Sequence, residues 1–254
     1  MDFTGKTFWI TGAASGMGKA LSVSLSKVAR LIIISDRDRD GLEATAAEIA
    51  RNGCAVRAEV LDMADAASVR KVSDSVFSEG ISIDGLYQFA GISQRSLVLD
   101  TPVEIDRRIM EINFFGVVTL VKAVLPHMVS HGGGQLAIAS SMVGKFGFPY
   151  RSAYSASKHA LQGFFESLRA ENSKHNIRVS ILIPGRINTN ISKYALTSQG
   201  TEYGKMDPGQ ANGISSAKAA KQILHGLRRE KKEILVGGNE LLMVHIRRFL
   251  PALF

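Results

Sequence analysis

The sequence has 254 residues, which suits one large domain, and its hydrophobic fraction of 45% and charged fraction of 21% are ordinary for a folded soluble protein. Cys54 is the only cysteine, which excludes an intramolecular disulfide. The net charge of +8 could attract nucleic acid or an anionic membrane. The basic residues are scattered among acids and form no nucleic-acid motif, so we expect no nucleic-acid partner.

The N-terminal segment, MDFTGKTFWITG, starts with an acid and lacks the basic region and long apolar stretch of a signal peptide. No run in the sequence reaches the roughly 18 apolar residues of a membrane-spanning helix. We therefore expect a cytoplasmic protein.

Strand-like and helix-like segments alternate along the chain. Short apolar runs rich in β-branched residues predict seven strands, over 7–11, 31–35, 54–60, 83–90, 134–140, 177–183 and 233–236. Longer segments with helical spacing predict helices over 19–28, 40–50, 66–77, 102–128, 155–173 and 216–227. This alternation predicts a single α/β domain over residues 1–254, with a doubly wound, Rossmann-type parallel sheet covered by helices on both faces.

Two segments stand apart from this pattern. Residues 186–213 are long, polar and rich in Ser, Thr, Asn and Gly, and a loop of that length in a compact domain is usually functional, so we expect it to bind substrate. Residues 241–254 form a C-terminal tail that mixes large apolar side chains with Arg247 and Arg248. We expect the tail to cover an oligomer interface or the substrate pocket, and we favour this over contact with an anionic membrane surface.

The first predicted strand ends in a glycine-rich loop, Thr11 to Gly18, from which the first helix follows. Glycines there let the backbone approach a pyrophosphate, and a helix N-terminus offers free N–H groups and positive potential. The spacing Gly-x-x-x-Gly-x-Gly differs from the common dinucleotide fingerprint, and a turn without a ligand is the alternative. The expected phosphate-binding residues are Gly12, Ser15, Gly16, Met17 and Gly18.

Two acids follow later strands. Asp36 closes the second strand, where a carboxylate can accept hydrogen bonds from the adenosine ribose hydroxyls; a helix cap is the alternative. Asp62 and Met63 follow the third strand, and Asp62 could bond the adenine amino group or cap the next helix, a role for which Asp65 competes.

Ser141, Tyr154 and Lys158 carry the expected chemistry. Tyr154 and Lys158 are four residues apart at a helix start and therefore share a face. A phenol titrates near pH 10, but a nearby ammonium favours the phenolate, so the pair can act as a general acid/base. Ser141, at the end of the fifth predicted strand, can hydrogen-bond the substrate oxygen that exchanges a proton with Tyr154. A helical surface pair is the alternative on spacing alone.

Together these motifs resemble the classical short-chain dehydrogenase/reductase family over nearly the whole chain. Ser141, Tyr154 and Lys158 match its catalytic triad, and Asn113 in Ile-Asn-Phe-Phe-Gly matches the family asparagine, which the resemblance implies holds a water for a proton relay from Lys158. The segment from 152 to 165 resembles the 11-beta-hydroxysteroid dehydrogenase and dehydrogenase/reductase member 7 branch. Further residues that the resemblance implies at the cofactor are Ala90, Gly91, Pro184, Gly185, Ile187 and Thr189, and it gives Tyr154 and Lys158 cofactor contacts as well.

One departure concerns the fourth strand. Gln88 and Phe89 stand where the family has two asparagines, which leaves open what ties this strand to its neighbours.

The resemblance implies an NAD(P)-dependent oxidoreductase that acts on a small-molecule ketone or secondary alcohol, with a homo-oligomeric assembly. A catalytically silent NAD(P)-sensing protein is the alternative. We expect NAD(H) to be preferred because the Asp36 carboxylate would repel the phosphate of NADP(H). Arg37 could pair with that phosphate, so NADP(H) stays possible, whereas Ser15 stands where NADP-preferring relatives often carry a basic residue. No His, Cys or carboxylate spacing suggests a metal site.

Overall fold

The computed structural model describes residues 1–253. It contains nine strands: β1 (Thr7–Thr11), β2 (Leu31–Asp36), β3 (Ala55–Val60), β4 (Gly85–Gln88), β5 (Gly134–Ala139), β6 (Ile177–Pro184), β7 (Ile187–Asn188), β8 (Ile214–Ser215) and β9 (Glu233–Val236). Seven of them form one parallel sheet in the order β3-β2-β1-β4-β5-β6-β9. All seven predicted strands and the doubly wound parallel fold are confirmed.

The described residues form nine α-helices: α1 (Gly16–Leu25), α2 (Arg39–Arg51), α3 (Ala66–Ser78), α4 (Val103–Met110), α5 (Gly116–Ser130), α6 (Ser152–Glu171), α7 (Pro208–Ala211), α8 (Ser216–Arg228) and α9 (Leu242–Phe249). Two of these differ from the sequence prediction in a way that matters for function. Helix α6 begins at Ser152 rather than at 155, so Tyr154 lies in its first turn. Helix α9 lies in the segment that we expected only as a tail.

The sheet is buried on both faces because successive side chains of each strand point to opposite sides. Trp9 and Ile33 belong to the apolar core that the sheet forms with α3, α4, α5 and α6. Ile10 and Ile32 belong to the opposite core, formed with α1, α2 and α8. This double burial explains why the central strands are almost continuously apolar in sequence.

The predicted helix over 102–128 is a continuous helical rod in the structure. It consists of α4, a π-helical turn at Glu111–Phe115, and α5. By length and composition alone, the stretch Val103–Ser130 could cross a membrane, and half of its most apolar window is buried. Leu120, Val121 and Val124 pack into the core beneath the sheet, which accounts for the apolar composition.

The outermost strand β3 carries charge on its side chains. Arg57 forms ion pairs with Glu59 on the same strand, at 2.6 Å, and with Glu79 after α3, at 2.7 Å. The side chains of β3 are exposed or half-buried, in contrast to the fully buried side chains of β1.

Candidate active site

The glycine-rich loop brings the start of α1 against the end of β4. Gly12 and Gly16 have φ angles of +68° and +56°, in the left-handed region that favours glycine. A Cβ on Gly12 would lie 2.6 Å from the backbone of Phe89 and Ala90, so only glycine allows this approach. Ser15 precedes α1 but its side chain makes no capping hydrogen bond, which leaves the N–H groups of the first turn available to a ligand.

A cavity of about 420 Å³ opens at this loop, along the carboxyl ends of the parallel strands. It is lined by most of the residues expected at the cofactor, namely Gly12, Ser15, Gly16, Met17, Gly18, Asp36, Arg37, Asp62, Met63, Ala90, Gly91 and Thr189. Other lining residues, for which the sequence predicts no cofactor contact, include Phe89, Ile92, Asn190, Ile191 and Tyr194.

Pro184, Gly185 and Ile187 do not line this cavity. Ile187 is 3% exposed and packs in the core with α8. Gly185 lies against the side chain of Glu240, whose Oε1 accepts a hydrogen bond from the backbone N–H of Arg186 at 2.8 Å. Within this segment Thr189 lines the cavity, and contacts of Pro184, Gly185 and Ile187 with the cofactor stay a prediction.

Backbone hydrogen bonds fix the Asp36 carboxylate at the cavity wall. Its Oδ2 accepts from the N–H of Ala14 at 3.0 Å, and its Oδ1 accepts from the N–H of Asp38 at 3.1 Å. Neither Asp36 nor Asp62 is the helix cap that the sequence left open as its alternative role. Asp38 caps α2 and Asp65 caps α3, which leaves Asp36 and Asp62 facing the cavity.

The end of β4 is held without the family's asparagines. The backbone N–H of Phe89 donates to the carbonyl of Thr11 at 3.2 Å, which ties β4 to β1. The buried Gln88 side chain donates from Nε2 to the carbonyl of Val117 on α5 at 3.1 Å. The Gln88 side chain thus ties β4 to helix α5, at the position where the family has an asparagine.

Asn113 lies in the π-helical turn and is fully buried. Its Oδ1 accepts from the N–H of Ile92 at 2.8 Å, and its Nδ2 donates to the carbonyl of Ile92 at 2.9 Å and to the hydroxyl of Ser157 at 3.0 Å. Both N–H groups of the amide are therefore used, so the side chain ties the segment after β4 to α6.

Ser141, Tyr154 and Lys158 converge beyond the cavity, next to Gly91. The Ser141 side chain is close enough to the Tyr154 phenol to lower its pKa. The ammonium nitrogen of Lys158 lies 5.7 Å from the centre of the Tyr154 ring and donates to the carbonyl of Ala139 at 2.8 Å. A Cβ on Gly91 would lie 3.4 Å from this ammonium, which puts the cavity wall directly beside it.

Burial sets the ionisation of this group of side chains. Desolvation lowers the pKa of Lys158 to about 8, so the ammonium is still mainly protonated at pH 7. Desolvation raises the pKa of the Tyr154 phenol, and the Ser141 hydrogen bond and the positive charges of Arg151 and Arg95 lower it in part. The sequence predicts Lys158 as the charge that favours the phenolate, whereas in the structure the charges that lower the phenol pKa are those of Arg151 and Arg95.

Comparison with known proteins decides what kind of protein carries this site. Residues 6–200 match the short chain dehydrogenase family. The chain belongs to this family. The dehydrogenase/reductase SDR family protein 7-like of Anopheles gambiae is 41% identical over 237 residues, which cover 91% of this chain and 75% of that protein. Dehydrogenase/reductase SDR family member 7B of Mus musculus is 37% identical over 250 residues, covering 96% and 77%.

Solved structures agree with this assignment. A short chain dehydrogenase/reductase from Burkholderia phymatum in complex with NAD covers all of this chain and 96% of its own, with a TM-score of 0.88 and 21% identity, and shows the fold. A short-chain dehydrogenase from Sphingobium yanoikuyae in complex with NADPH covers 91% and 87%, with a TM-score of 0.79 and 25% identity. The expected family, its member 7 branch and the NAD(P)-dependent oxidoreductase activity are confirmed.

The residues of this short-chain dehydrogenase fit a nicotinamide dinucleotide. A side chain at Gly16 would approach Thr189 to 3.2 Å across the cavity, so the glycine keeps the cradle open. The first turn of α1 holds no acid that would repel a pyrophosphate. The Asp36 carboxylate lies on the same wall, within reach of a ribose.

Gln94 is a part of this short-chain dehydrogenase site that the sequence analysis missed. It is fully buried in the segment after β4. Its Oε1 accepts from the backbone N–H of Ala153 at 2.9 Å and of Tyr154 at 3.4 Å. Gln94 therefore caps helix α6 from a distant segment of the chain. The N-cap residue Arg151 makes no side-chain capping hydrogen bond of its own. Gln94 stands among the polar residues Ser93, Arg95 and Ser96, so nothing in the sequence marks it.

Helix α9 lies against the apolar cluster around Tyr154. Tyr154 packs with Val143 and Phe146, and Met243 and Val244 of α9 pack against this cluster. The tail thus contacts the region where a substrate would meet Tyr154.

Proposed function

We propose that the enzyme interconverts a ketone and a secondary alcohol of apolar character, with Tyr154 as the general acid/base. One observation carries this proposal: Tyr154 lies in a cluster of apolar side chains with the Lys158 ammonium 5.7 Å from its ring centre, and Ser141 lowers the pKa of its phenol. A bound nicotinamide ring would supply or accept the hydride. Tyr154 would donate its proton to the carbonyl oxygen in reduction and take it back in oxidation, while Ser141 holds the same oxygen.

The apolar enclosure supports an apolar substrate. Val143 and Phe146 are buried next to the phenol, and Met243 and Val244 close the cluster from α9. An apolar wall excludes water from the reacting oxygen and strengthens its hydrogen bonds.

The Tyr154→Phe variant tests the role of the phenol. Phenylalanine keeps the ring and removes the transferable proton, so turnover should fall by about 10²- to 10⁴-fold while cofactor binding stays largely intact. Turnover is followed by NADH or NADPH absorbance with a panel of ketones, and cofactor binding by calorimetry. Tyr150→Phe is the matched control, because Tyr150 is 55% exposed on the loop before α6. A Tyr154→Phe enzyme with a tenth of the wild-type rate would disprove the assignment.

We also propose that the enzyme prefers NAD(H). Two backbone hydrogen bonds hold the Asp36 carboxylate at the cavity wall, so it cannot swing away without losing both. A phosphate about 4 Å from this carboxylate would be repelled by roughly 4 kcal/mol at an effective dielectric of about 20, and solvent at the rim reduces this. A preference of roughly tenfold to a thousandfold should result.

The test compares catalytic efficiency with NAD(H) and NADP(H) in wild type and in Asp36→Ala. The wild type should favour NAD(H), and Asp36→Ala should lose most of that preference by gaining NADP(H) activity. Asp40→Ala removes an exposed carboxylate in the first turn of α2 and should leave the preference unchanged. A wild type that favours NADP(H) would show that Arg37 dominates the site.

Homo-oligomerisation is a further part of the proposal. Exposed apolar side chains support it, since Val98 is 74% exposed and Leu99 is 94% exposed in the segment before α4. A cytoplasmic location stays a prediction from the sequence.

A further inference from the structure

Three charged side chains at the start of α6 are not used by the proposed chemistry. Asp207 pairs with both Arg95 and Arg151. The Arg95 guanidinium bonds the carboxylate through two nitrogens, of which Nε is 3.3 Å from Oδ1, and an Arg151 nitrogen lies 2.8 Å from Oδ2. We call these three residues the clasp.

The clasp joins three separate parts of the chain. Arg95 follows β4, in the same segment as Gln94. Arg151 occupies the N-cap position of the catalytic helix α6. Asp207 precedes α7, within the long loop over 186–213, and its backbone N–H donates to the hydroxyl of Ser192 at 3.2 Å. The clasp is therefore the polar link between the long loop and the start of the catalytic helix.

The geometry of the clasp holds its charges in fixed positions. The Arg95 side chain is 8% exposed, and its third guanidinium nitrogen donates to the hydroxyl of Ser93 at 2.9 Å and to the carbonyl of Gln94 at 2.6 Å. The Asp207 and Arg151 side chains are 19% and 23% exposed. Arg95 is thus occupied by protein partners, which makes it a structural cation rather than a ligand for substrate.

The clasp also has an unequal charge balance. Burial raises the pKa of Asp207, but hydrogen bonds and charge from the two arginines outweigh burial and lower it, so the carboxylate is ionised near neutral pH. Two guanidinium groups against one carboxylate leave one positive charge in excess.

We propose that Asp207, Arg95 and Arg151 act as positioning residues: they hold the long loop on the catalytic helix and keep one uncompensated positive charge beside the Tyr154 phenol. This inference rests on the proposed role of Tyr154 as the acid/base. The excess charge favours the phenolate, which is the form that accepts the proton of an alcohol.

Other groups also act on the pKa of the Tyr154 phenol or lie close to it. Ser141 lowers this pKa, and the Lys158 ammonium on the same helix lies 5.7 Å from the ring centre. Helix α9 contributes the apolar side chains Met243 and Val244. The positive charges of Arg151 and Arg95 lower the pKa of the phenol against the larger effect of burial.

The charge effect is tested by titrating the phenol itself. The chain has five tyrosines, so carbon-13 labelling of the tyrosine ζ-carbon gives few NMR signals, and the signal lost in Tyr154→Phe identifies Tyr154. Arg151→Gln should raise the pKa of Tyr154 above the wild-type value, and Arg151→Lys, which keeps the charge, should restore most of the difference. Each unit by which this pKa rises lowers the phenolate fraction near neutral pH about tenfold.

The loop is tested by limited trypsin digestion, with Lys193 and Lys205 as cleavage sites within it. Asp207→Asn removes the carboxylate and should speed cleavage at these lysines by about tenfold, because the loop loses its charged hydrogen bonds. Glu202→Gln is the matched control: Glu202 is exposed in the same loop, and its side chain has no ion pair in the described part of the chain. Its cleavage rate should equal that of wild type.

An unchanged Tyr154 pKa in Arg151→Gln, or equal cleavage of Asp207→Asn and Glu202→Gln, would overturn the clasp. Neither measurement needs a substrate. A failure of the proposed function would show instead as an active Tyr154→Phe enzyme, so the two failures are distinguishable.

Discussion

Replacing Gln94 with leucine should lower the free energy of unfolding by more than the loss of a single hydrogen bond, because two buried N–H groups lose their acceptor. In the structure, Gln94 Oε1 accepts from the N–H groups of Ala153 and Tyr154, at 2.9 and 3.4 Å, in the first turn of the catalytic helix. Leucine has similar volume but cannot accept a hydrogen bond, so both N–H groups would be buried without a partner.

The magnitude follows from these two groups. A buried N–H without an acceptor costs about 1–3 kcal/mol, and the 3.4 Å bond is the weaker of the pair. Loss of a helix N-cap alone typically costs about 1 kcal/mol. We therefore expect Gln94→Leu to lower the free energy of unfolding by about 2–4 kcal/mol. Turnover should also fall, because the backbone of Tyr154 loses its anchor.

Gln88→Leu is the matched control, in which the same substitution is made at an equally buried position. Gln88 Nε2 donates to the carbonyl of Val117, and its Oε1 has no partner among the described residues. The Val117 carbonyl lies within α5 and keeps its helical bond, so the expected loss is about 1 kcal/mol or less. Urea unfolding with linear extrapolation measures both variants. Equal losses would refute the capping role of Gln94.

Two further predictions concern Lys158 and the tail. Because burial lowers the pKa of Lys158 from 10.5 to about 8, the unfolded chain binds more protons between these values and stability should rise with pH across that window. At pH 7, Lys158→Met should raise the free energy of unfolding by up to about 3 kcal/mol relative to wild type, measured by urea unfolding. A gain that persists above pH 10.5 would show that burial of the lysine charge is not its cause. Deleting residues 241–254 should weaken substrate binding, because Met243 and Val244 cover the Tyr154 cluster. Light scattering measures whether the truncated chain still forms the oligomer, and pelleting with liposomes measures whether it still binds membranes. A truncated chain that loses only liposome binding would show that the tail contacts a membrane surface.

Much of the fold could be predicted because the signal is local. A doubly buried strand must be apolar along its whole length, so β1, β2 and β6 are visible in sequence. A glycine loop between strand and helix is equally local. The start of α6 was placed late because its cap is Gln94, which lies 59 residues before Ala153 in the chain. No cap at that helix start marks it in sequence.

The rest of the candidate site depends on pairings between distant segments. Arg95 and Asp207 are 112 residues apart, and no spacing rule connects them. Single charged residues in loops are usually solvated, so sequence reasoning gave them no role. The same holds for Gly185, whose neighbour Glu240 lies at the start of the C-terminal segment. Only the folded chain brings Glu240 against Gly185.

The charged edge strand β3 also limits how copies of this enzyme can meet. An unpaired edge is a template for continuing the sheet into another molecule. On β3, Arg57 and Glu59 form an ion pair whose side chains are 17% and 23% exposed, and charged side chains on an edge strand oppose pairing with a further strand. Sheet-to-sheet growth is thus disfavoured at this border, and the subunits of an assembly must find one another elsewhere on the surface.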